Sequence, residues 1–306
     1  MSGKRILITG ANGLLGQKLI DLYLNKPEKE ILATGIGVCR HPKKGSFQYK
    51  SMDISNLEDV NRVFDEFKPN TVIHTAAMTN VDACELNKVE CDRLNVQAVH
   101  NIVSASKAHH SRLIHISTDF IFDGTHGPVT EEEIPNPLSY YGHSKLKGEH
   151  AVMDNMDNWA ILRTVLVYGV VNDMSRSNIV LWAKGALESG KPISVVDDQF
   201  RTPTLAEDLA MGCFLAEDQE AQGIYNISGK DFMSIYELVE RVADYYQLSK
   251  ASMSKSDSST LNQAAKRPPI TGFVLDKAKK ELNYQPHSFE EGLEIVQQQL
   301  TIASSI

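Results

Sequence analysis

The chain has 306 residues and a formal charge of −8, with 42% hydrophobic and 23% charged residues. That is enough for two lobes sharing one cleft, in a composition that folds by burial without staples or disordered arms. Lys and Arg form no dense block or stripe interleaved with aromatics, so nucleic-acid binding is not expected. The apolar runs are of strand length and the N-terminus enters a strand within a few residues, so neither a membrane span nor export is expected, and the location is expected to be cytoplasmic.

In chain order, short β-branched runs alternate with amphipathic stretches: strand 5–9, helix 14–24, strand 31–37, strand 47–52, helix 56–67, strand 71–75, helix 89–108 and strand 112–117. Leu94, Ala98, Val99, Ile102 and Ala105 recur at helical spacing, while Ile6, Leu7 and Ile8 suit a strand covered on both faces. This rhythm predicts a Rossmann-type doubly wound parallel sheet over residues 1–169, completed by strand 159–164 and by strand 223–228. Residues 170–306 are expected to form mainly a smaller α/β substrate lobe, with helices at 177–188, 205–216, 235–246 and 289–300 and a polar loop at 249–260. Ser55/Glu58, Thr204/Glu207, Ser234/Glu237 and Ser288/Glu291 have capping-box spacing and predict four helix starts.

Residues 9–16, TGANGLLG, follow a strand and open a helix. Gly10, Gly13 and Gly16 permit a tight turn and close approach of a pyrophosphate to free amides at the helix start. The spacing is G-x-x-G-x-x-G, which points toward a short-chain reductase rather than the G-x-G-x-x-G dehydrogenases. No acid lies between Glu30 and Asp53 to bind a ribose 2′-hydroxyl, whereas Arg40 suits a 2′-phosphate. NADP(H) is therefore expected ahead of NAD(H), with a solvated surface arginine as the alternative. Asp53 and Ile54 contact the adenine in this reading, or Asp53 caps the helix that follows.

Tyr141 and Lys145 have Y-x-x-x-K spacing, which puts both on one helical face. The cation is expected to lower the phenol's pKa toward neutrality, where it can exchange a proton with a carbonyl or alcohol. Thr118, at the end of strand 112–117, is the second hydroxyl expected at the substrate oxygen, with Ser117 as the alternative. His109, His110, His115 and His143 form no metal-ligand pattern, so no metal is expected, and no G-x-S-x-G elbow is present. Cys39, Cys84, Cys91 and Cys213 lack C-x-x-C spacing, and reduced packing thiols are expected over a Cys84–Cys91 bridge or a reactive thiol.

These residues resemble the extended short-chain dehydrogenase/reductases, specifically the dTDP-4-dehydrorhamnose reductase family. The resemblance runs through ILITGANGLLG (6–16), HTAAMTNVDACE (74–85), HISTDFIFDGT (115–125), NPLSYYGHSKLKGE (136–149), LRTVLVYG (162–169), VVDDQFRTPTLAEDLA (195–210), GIYNISG (223–229) and Arg267–Pro268. It implies that Gly10, Asn12, Gly13, Leu14, Leu15, Gly16, Asp53, Ile54, Ala76, Ala77, Met78 and Thr79 line the dinucleotide, together with Tyr141 and Lys145. Thr118, Tyr141 and Lys145 match the catalytic positions, and Asp119 matches a sugar contact.

Two positions depart from the family pattern. Phe120 replaces the usual Tyr after S-T-D, and Leu166 stands where R-T-x-W-x-Y-G has Trp; both normally touch the hexose. Gln199, Arg201 and Arg267 are candidates for the nucleotide diphosphate. The implied reaction is reduction of the C4 keto group of a nucleotide-linked 6-deoxy-4-ketohexose, dTDP-4-dehydrorhamnose to dTDP-L-rhamnose in the family example, for polysaccharide biosynthesis. An epimerase or dehydratase on the same scaffold is the rival enzyme, although Phe120 stands where a dehydratase carries Glu. The rival from another class is a non-catalytic subunit resembling the regulatory β subunit of methionine adenosyltransferase. The implied partner is the nucleotide-sugar substrate, and a homodimer is compatible with the sequence.

Overall fold

The structure is a computed structural model that describes residues 4–172, 177–260 and 262–303. In chain order the first part runs β1 (Lys4–Thr9), α1 (Leu14–Tyr23), β2 (Lys29–Gly35), β3 (Gln48–Ser51), α2 (Leu57–Phe67) and β4 (Thr71–His74). It continues with α3 (Val81–Leu86), α4 (Lys88–Asp92), a π-helical turn (Arg93–Gln97), α5 (Ala98–Ala108), β5 (Arg112–Thr118), α6 (Tyr140–Met153), β6 (Trp159–Thr164) and β7 (Val167–Tyr168). The second part runs α7 (Ile179–Glu188), β8 (Ile193–Val196), β9 (Phe200–Arg201), β10 (Thr204–Leu205), α8 (Ala206–Asp218), β11 (Gly223–Asn226) and β12 (Met233–Ser234). It closes with α9 (Ile235–Tyr245), β13 (Met253–Ser256), α10 (Asp276–Leu282) and α11 (Phe289–Ala303).

Among the described residues seven strands form a parallel sheet in the order β11-β6-β5-β4-β1-β2-β3. The apolar runs explain its burial. Leu7, Leu32, Val72, Leu113 and Ile161 enter the core on one face, while Ile8, Ala33, Ile73, Ile114 and Leu162 enter the core on the other. A strand buried on both sides needs no polar alternation. The order reverses between β1 and β4, so a crevice opens outside their carboxyl ends, where open α/β sheets collect ligands. β11 returns from the second half of the chain to the sheet edge, and α8 lies along α1. Of the remaining second-half elements, α10 packs its Ala278 and Leu282 into the sheet's core, while α7, β8, α9 and α11 have a core of their own, built from Val180, Leu187, Val195, Leu238, Val242, Leu293 and neighbours.

Several local expectations are corrected. The stretch expected as one helix from 89 to 108 starts at Lys88 and passes through the π-helical turn before α5. The expected loop at 249–260 contains β13, which pairs in parallel with β8. A reciprocal capping box forms at Ser288/Glu291, whereas at Ser234/Glu237 only the Ser234 hydroxyl caps, accepting from Glu237 N at 3.1 Å. At α2 the cap is Asn56, one residue beyond Ser55, and at α8 no side chain caps the helix, because Thr204 Oγ1 donates to Val165 O at 2.6 Å. Among the described residues no helix is long and apolar enough to cross a membrane.

Candidate active site

A cleft of about 800 Å³ lies across the carboxyl ends of the strands. Its floor begins at the glycine turn. Gly10 has φ +72°, and a Cβ there would meet Thr75 Oγ1 at 2.6 Å; a Cβ on Gly16 would meet Gly10 O at 2.3 Å. Both contacts require glycine so that α1 can approach the turn closely. α2, α3, α6 and α7 start with a capping side chain, whereas Gly13 gives α1 none, and its first turn carries no acid. Gly10, Asn12, Gly13, Leu14, Leu15 and Gly16 line the cleft. An uncapped helix start without carboxylates fits an anionic pyrophosphate.

Asn12 organises the adjacent loop. Its side chain donates to Val38 O at 3.0 Å and to Tyr49 Oη at 3.2 Å, and accepts from Arg40 N at 2.9 Å. Arg40, Ile54, Ala76, Ala77 and Thr79 line the cleft. Asp53 and Met78 do not belong to its lining. The Asp53 carboxylate accepts from Ser55 N at 2.9 Å and Ser55 Oγ at 2.7 Å, so it caps the local turn. Met78 is held through its backbone by Asn95, which accepts from Met78 N at 2.8 Å and donates to Met78 O at 3.0 Å. Asn95 also donates to Ser144 Oγ at 3.0 Å and sits on the π-helical turn. Sequence reasoning passed over this fully buried amide. A buried Asn within an apolar helical pattern was the available signal, since such a group must be satisfied by something specific.

Thr118, Asp119, Tyr141 and Lys145 meet on one wall. α6 brings Tyr141 there because residue 142 is glycine: a Cβ would lie 2.1 Å from Phe120 O. Ser139 caps the helix by accepting from Gly142 N at 3.2 Å. Thr118 Oγ1 donates to Asp119 Oδ1 at 3.0 Å and accepts from Phe120 N at 3.3 Å, on the cleft wall it shares with Tyr141. Lys145 donates to Ile116 O at 2.7 Å and reaches His115 Nε2 at 3.5 Å. The pKa of Tyr141 is raised, not lowered as expected, because burial disfavours the phenolate and the neighbouring Thr118 hydroxyl only partly offsets it. Burial likewise lowers Lys145 to about 8, against the opposing pull of Glu149. Spacing placed both groups correctly but says nothing of their desolvation.

The proposed phosphate residues separate. Arg267 lines the cleft, bound to Asp82 at 2.7 Å. Gln199 and Arg201 do not line it. Arg201 is buried, donates to Phe200 O at 2.7 Å and Pro268 O at 2.9 Å, and lies 4.0 Å from the Asp119 carboxylate. Gln199 accepts from Arg201 and, through its carbonyl, from Ile235 N. Both hold the lobe together. Phe120 lines the cleft with its ring edge-on to Tyr141, centroids 5.9 Å apart. Leu166 also lines it, in the left-handed region at φ +39°, a costly backbone for a γ-branched residue at a cleft wall. Among the described residues, no three His, Cys, Asp or Glu side chains converge to hold a metal.

The profile of the family described as the RmlD substrate binding domain matches residues 4–302. The chain belongs to that family. Within it, dTDP-4-dehydrorhamnose reductase from Aggregatibacter actinomycetemcomitans is 30% identical over 94% of this chain and 97% of its own. A crystal structure of dTDP-4-dehydrorhamnose reductase from Bacillus anthracis, solved in complex with NADP, superposes with a TM-score of 0.85 at 29% identity and covers 97% of this chain and 99% of its own. Methionine adenosyltransferase 2 subunit beta from Xenopus tropicalis is 34% identical over 80% of this chain and 73% of its own. The RmlD-type fold is thus the extended short-chain reductase architecture, with its doubly wound sheet.

Proposed function

We propose that the protein is an NAD(P)H-dependent reductase of the C4 keto group of a nucleotide-linked 6-deoxy-4-ketohexose, with dTDP-4-dehydrorhamnose as the first substrate to try. The observation that carries this reading is the convergence of Thr118, Tyr141 and Lys145 on a cleft whose other end is the uncapped start of α1. Homology to the Aggregatibacter reductase and the NADP complex of the Bacillus relative support it.

In this reading the α1 start holds the pyrophosphate of a dinucleotide, and Arg40 meets a 2′-phosphate, which favours NADP(H) over NAD(H). Bound there, a reduced nicotinamide supplies hydride to the keto carbon. Thr118 hydrogen-bonds the carbonyl oxygen and Tyr141 gives it a proton. Burial keeps Tyr141 a phenol across neutral pH, the form that reduction requires. Lys145, fixed on Ile116 O, supplies the positive charge that stabilises the phenolate left behind. Arg267 recruits the sugar nucleotide's diphosphate from the edge of the cleft.

A second reading, a non-catalytic subunit, rests on the 34% identity to methionine adenosyltransferase 2 subunit beta. The intact Thr118, Tyr141 and Lys145 set favours the enzyme. The test is NADPH oxidation with a panel of nucleotide-linked 4-ketosugars, run beside binding of a methionine adenosyltransferase catalytic subunit. Turnover on one sugar, lost in Tyr141→Phe, supports the reductase. Tight subunit binding with no turnover on any sugar overturns it.

A further inference from the structure

His74 on β4 and His115 on β5 are paired in register, and both are buried, with ring centroids 5.5 Å apart and planes 24° from parallel. The reaction proposed above gives neither a role. Thr9 Oγ1 accepts from Thr75 N at 3.1 Å and Ala76 N at 3.3 Å, so its own hydrogen goes to His74 Nδ1 at 2.8 Å. His74 is thereby fixed with its hydrogen on Nε2, and its ring backs that of His115. His115 Nε2 lies 3.5 Å from Lys145 Nζ, and its Nδ1 has no partner among the described residues. Gly148, one turn beyond Lys145 on α6, leaves room for the ring: a Cβ there would lie 3.4 Å from His115 Nε2.

The ammonium of Lys145 has donors only, and Ile116 O takes one of its hydrogens at 2.7 Å. Glu149, the carboxylate on the next turn of α6, is committed to Arg163 at 3.0 and 2.7 Å. The second hydrogen therefore meets the lone pair on His115 Nε2, which places the His115 hydrogen on Nδ1. A buried ring with an unpaired N–H is costly, so packing alone does not account for a histidine here. Its contact with Lys145 does.

We infer that His115 is a positioning residue, whose neutral imidazole joins Ile116 O in gripping the Lys145 ammonium from the β5 side and leaves the third hydrogen for the cleft. Burial and the adjacent Lys145 charge keep both rings neutral, His74 at about 3 and His115 well below its ordinary value, so neither adds a competing charge beside the ammonium. The hydrogen-bond geometry stands without the reductase reading. Its kinetic consequence rests on that reading.

Long-range proton–nitrogen NMR of the folded wild type, labelled with heavy-nitrogen histidine, reads the tautomers directly and needs no variant at His115. Across neutral pH, His115 should show a protonated Nδ1 and a bare Nε2, His74 the reverse, and Lys145→Met should move the His115 Nε2 resonance. A protonated His115 Nε2, or a resonance indifferent to Lys145→Met, overturns the proposal whatever the protein's activity. In turnover, His115→Phe removes the acceptor and should lower kcat about tenfold with little change in KM for the sugar. His115→Gln, whose side-chain oxygen takes the place of Nε2, should recover most of that rate. Equal kcat losses in the two variants make His115 a packing residue and overturn the positioning role, whereas a wild type without turnover counts against the reductase reading alone, with the tautomers still deciding the contact.

Discussion

At Lys145, burial lowers the pKa to about 8, well below its ordinary value, while burial raises Tyr141. Ketone reduction should therefore hold level through neutrality and decline above about pH 8, as Lys145 loses its charge; a pH profile of kcat with no inflection there would argue against its role. Stability has the opposite sense. Below about pH 8 the folded chain carries the full penalty of a buried ammonium, and between that value and the unfolded pKa the unfolded chain binds more protons, so stability rises with pH. Relative to Lys145→Met, the native protein should gain roughly 1–3 kcal/mol across that window in denaturant titrations. Arg40→Ala should weaken NADPH binding about 10–100-fold and NADH binding little, measured by fluorescence titration. Tyr141 and Lys145 were legible because spacing fixes a helical face. Asn95, the pairing of Arg267 with Asp82 and the pKa directions were not, since each depends on burial and on partners distant in sequence.

The glycine turn and α1 were legible at the scale of elements, because strand, turn and helix follow one another locally. Gly16→Ala places a Cβ 2.3 Å from Gly10 O, so it should cost about 1–3 kcal/mol in thermal unfolding and abolish saturable dinucleotide binding. Full retention of binding would show that the turn does not cradle the pyrophosphate. Caps were legible only where nothing competed. Ser234 and Ser288 cap as their spacing implies, while Asn56 replaces Ser55 and the Thr204 hydroxyl is taken by Val165 O. Strand β13 was hidden because its polar sequence reads as loop, and only its pairing with β8 makes it a strand.

Across the whole molecule the two parts of the chain interlock: β11 extends the sheet, α8 covers α1, and buried Arg201 lies 4.0 Å from Asp119 at the end of β5. The parallel sheet was legible from its apolar runs, whereas the role of Arg201 was not, because a guanidinium in R-T-P-T serves a substrate or a scaffold equally well until its partners are known. Arg201→Met should strand the Asp119 carboxylate and cost about 3–5 kcal/mol by denaturant titration, with the Asp119→Asn double variant recovering part of it. A stable Arg201→Met protein with weakened nucleotide affinity alone would instead make it a ligand contact. The most direct test of the reductase is transfer from C4-deuterated NADPH in a single turnover with a nucleotide-linked 4-ketosugar. The expected result is deuterium at C4 of the sugar product with wild type and a loss of about 10²–10⁴ in rate with Tyr141→Phe. A product without deuterium at C4, or a Tyr141→Phe rate equal to wild type, would contradict it.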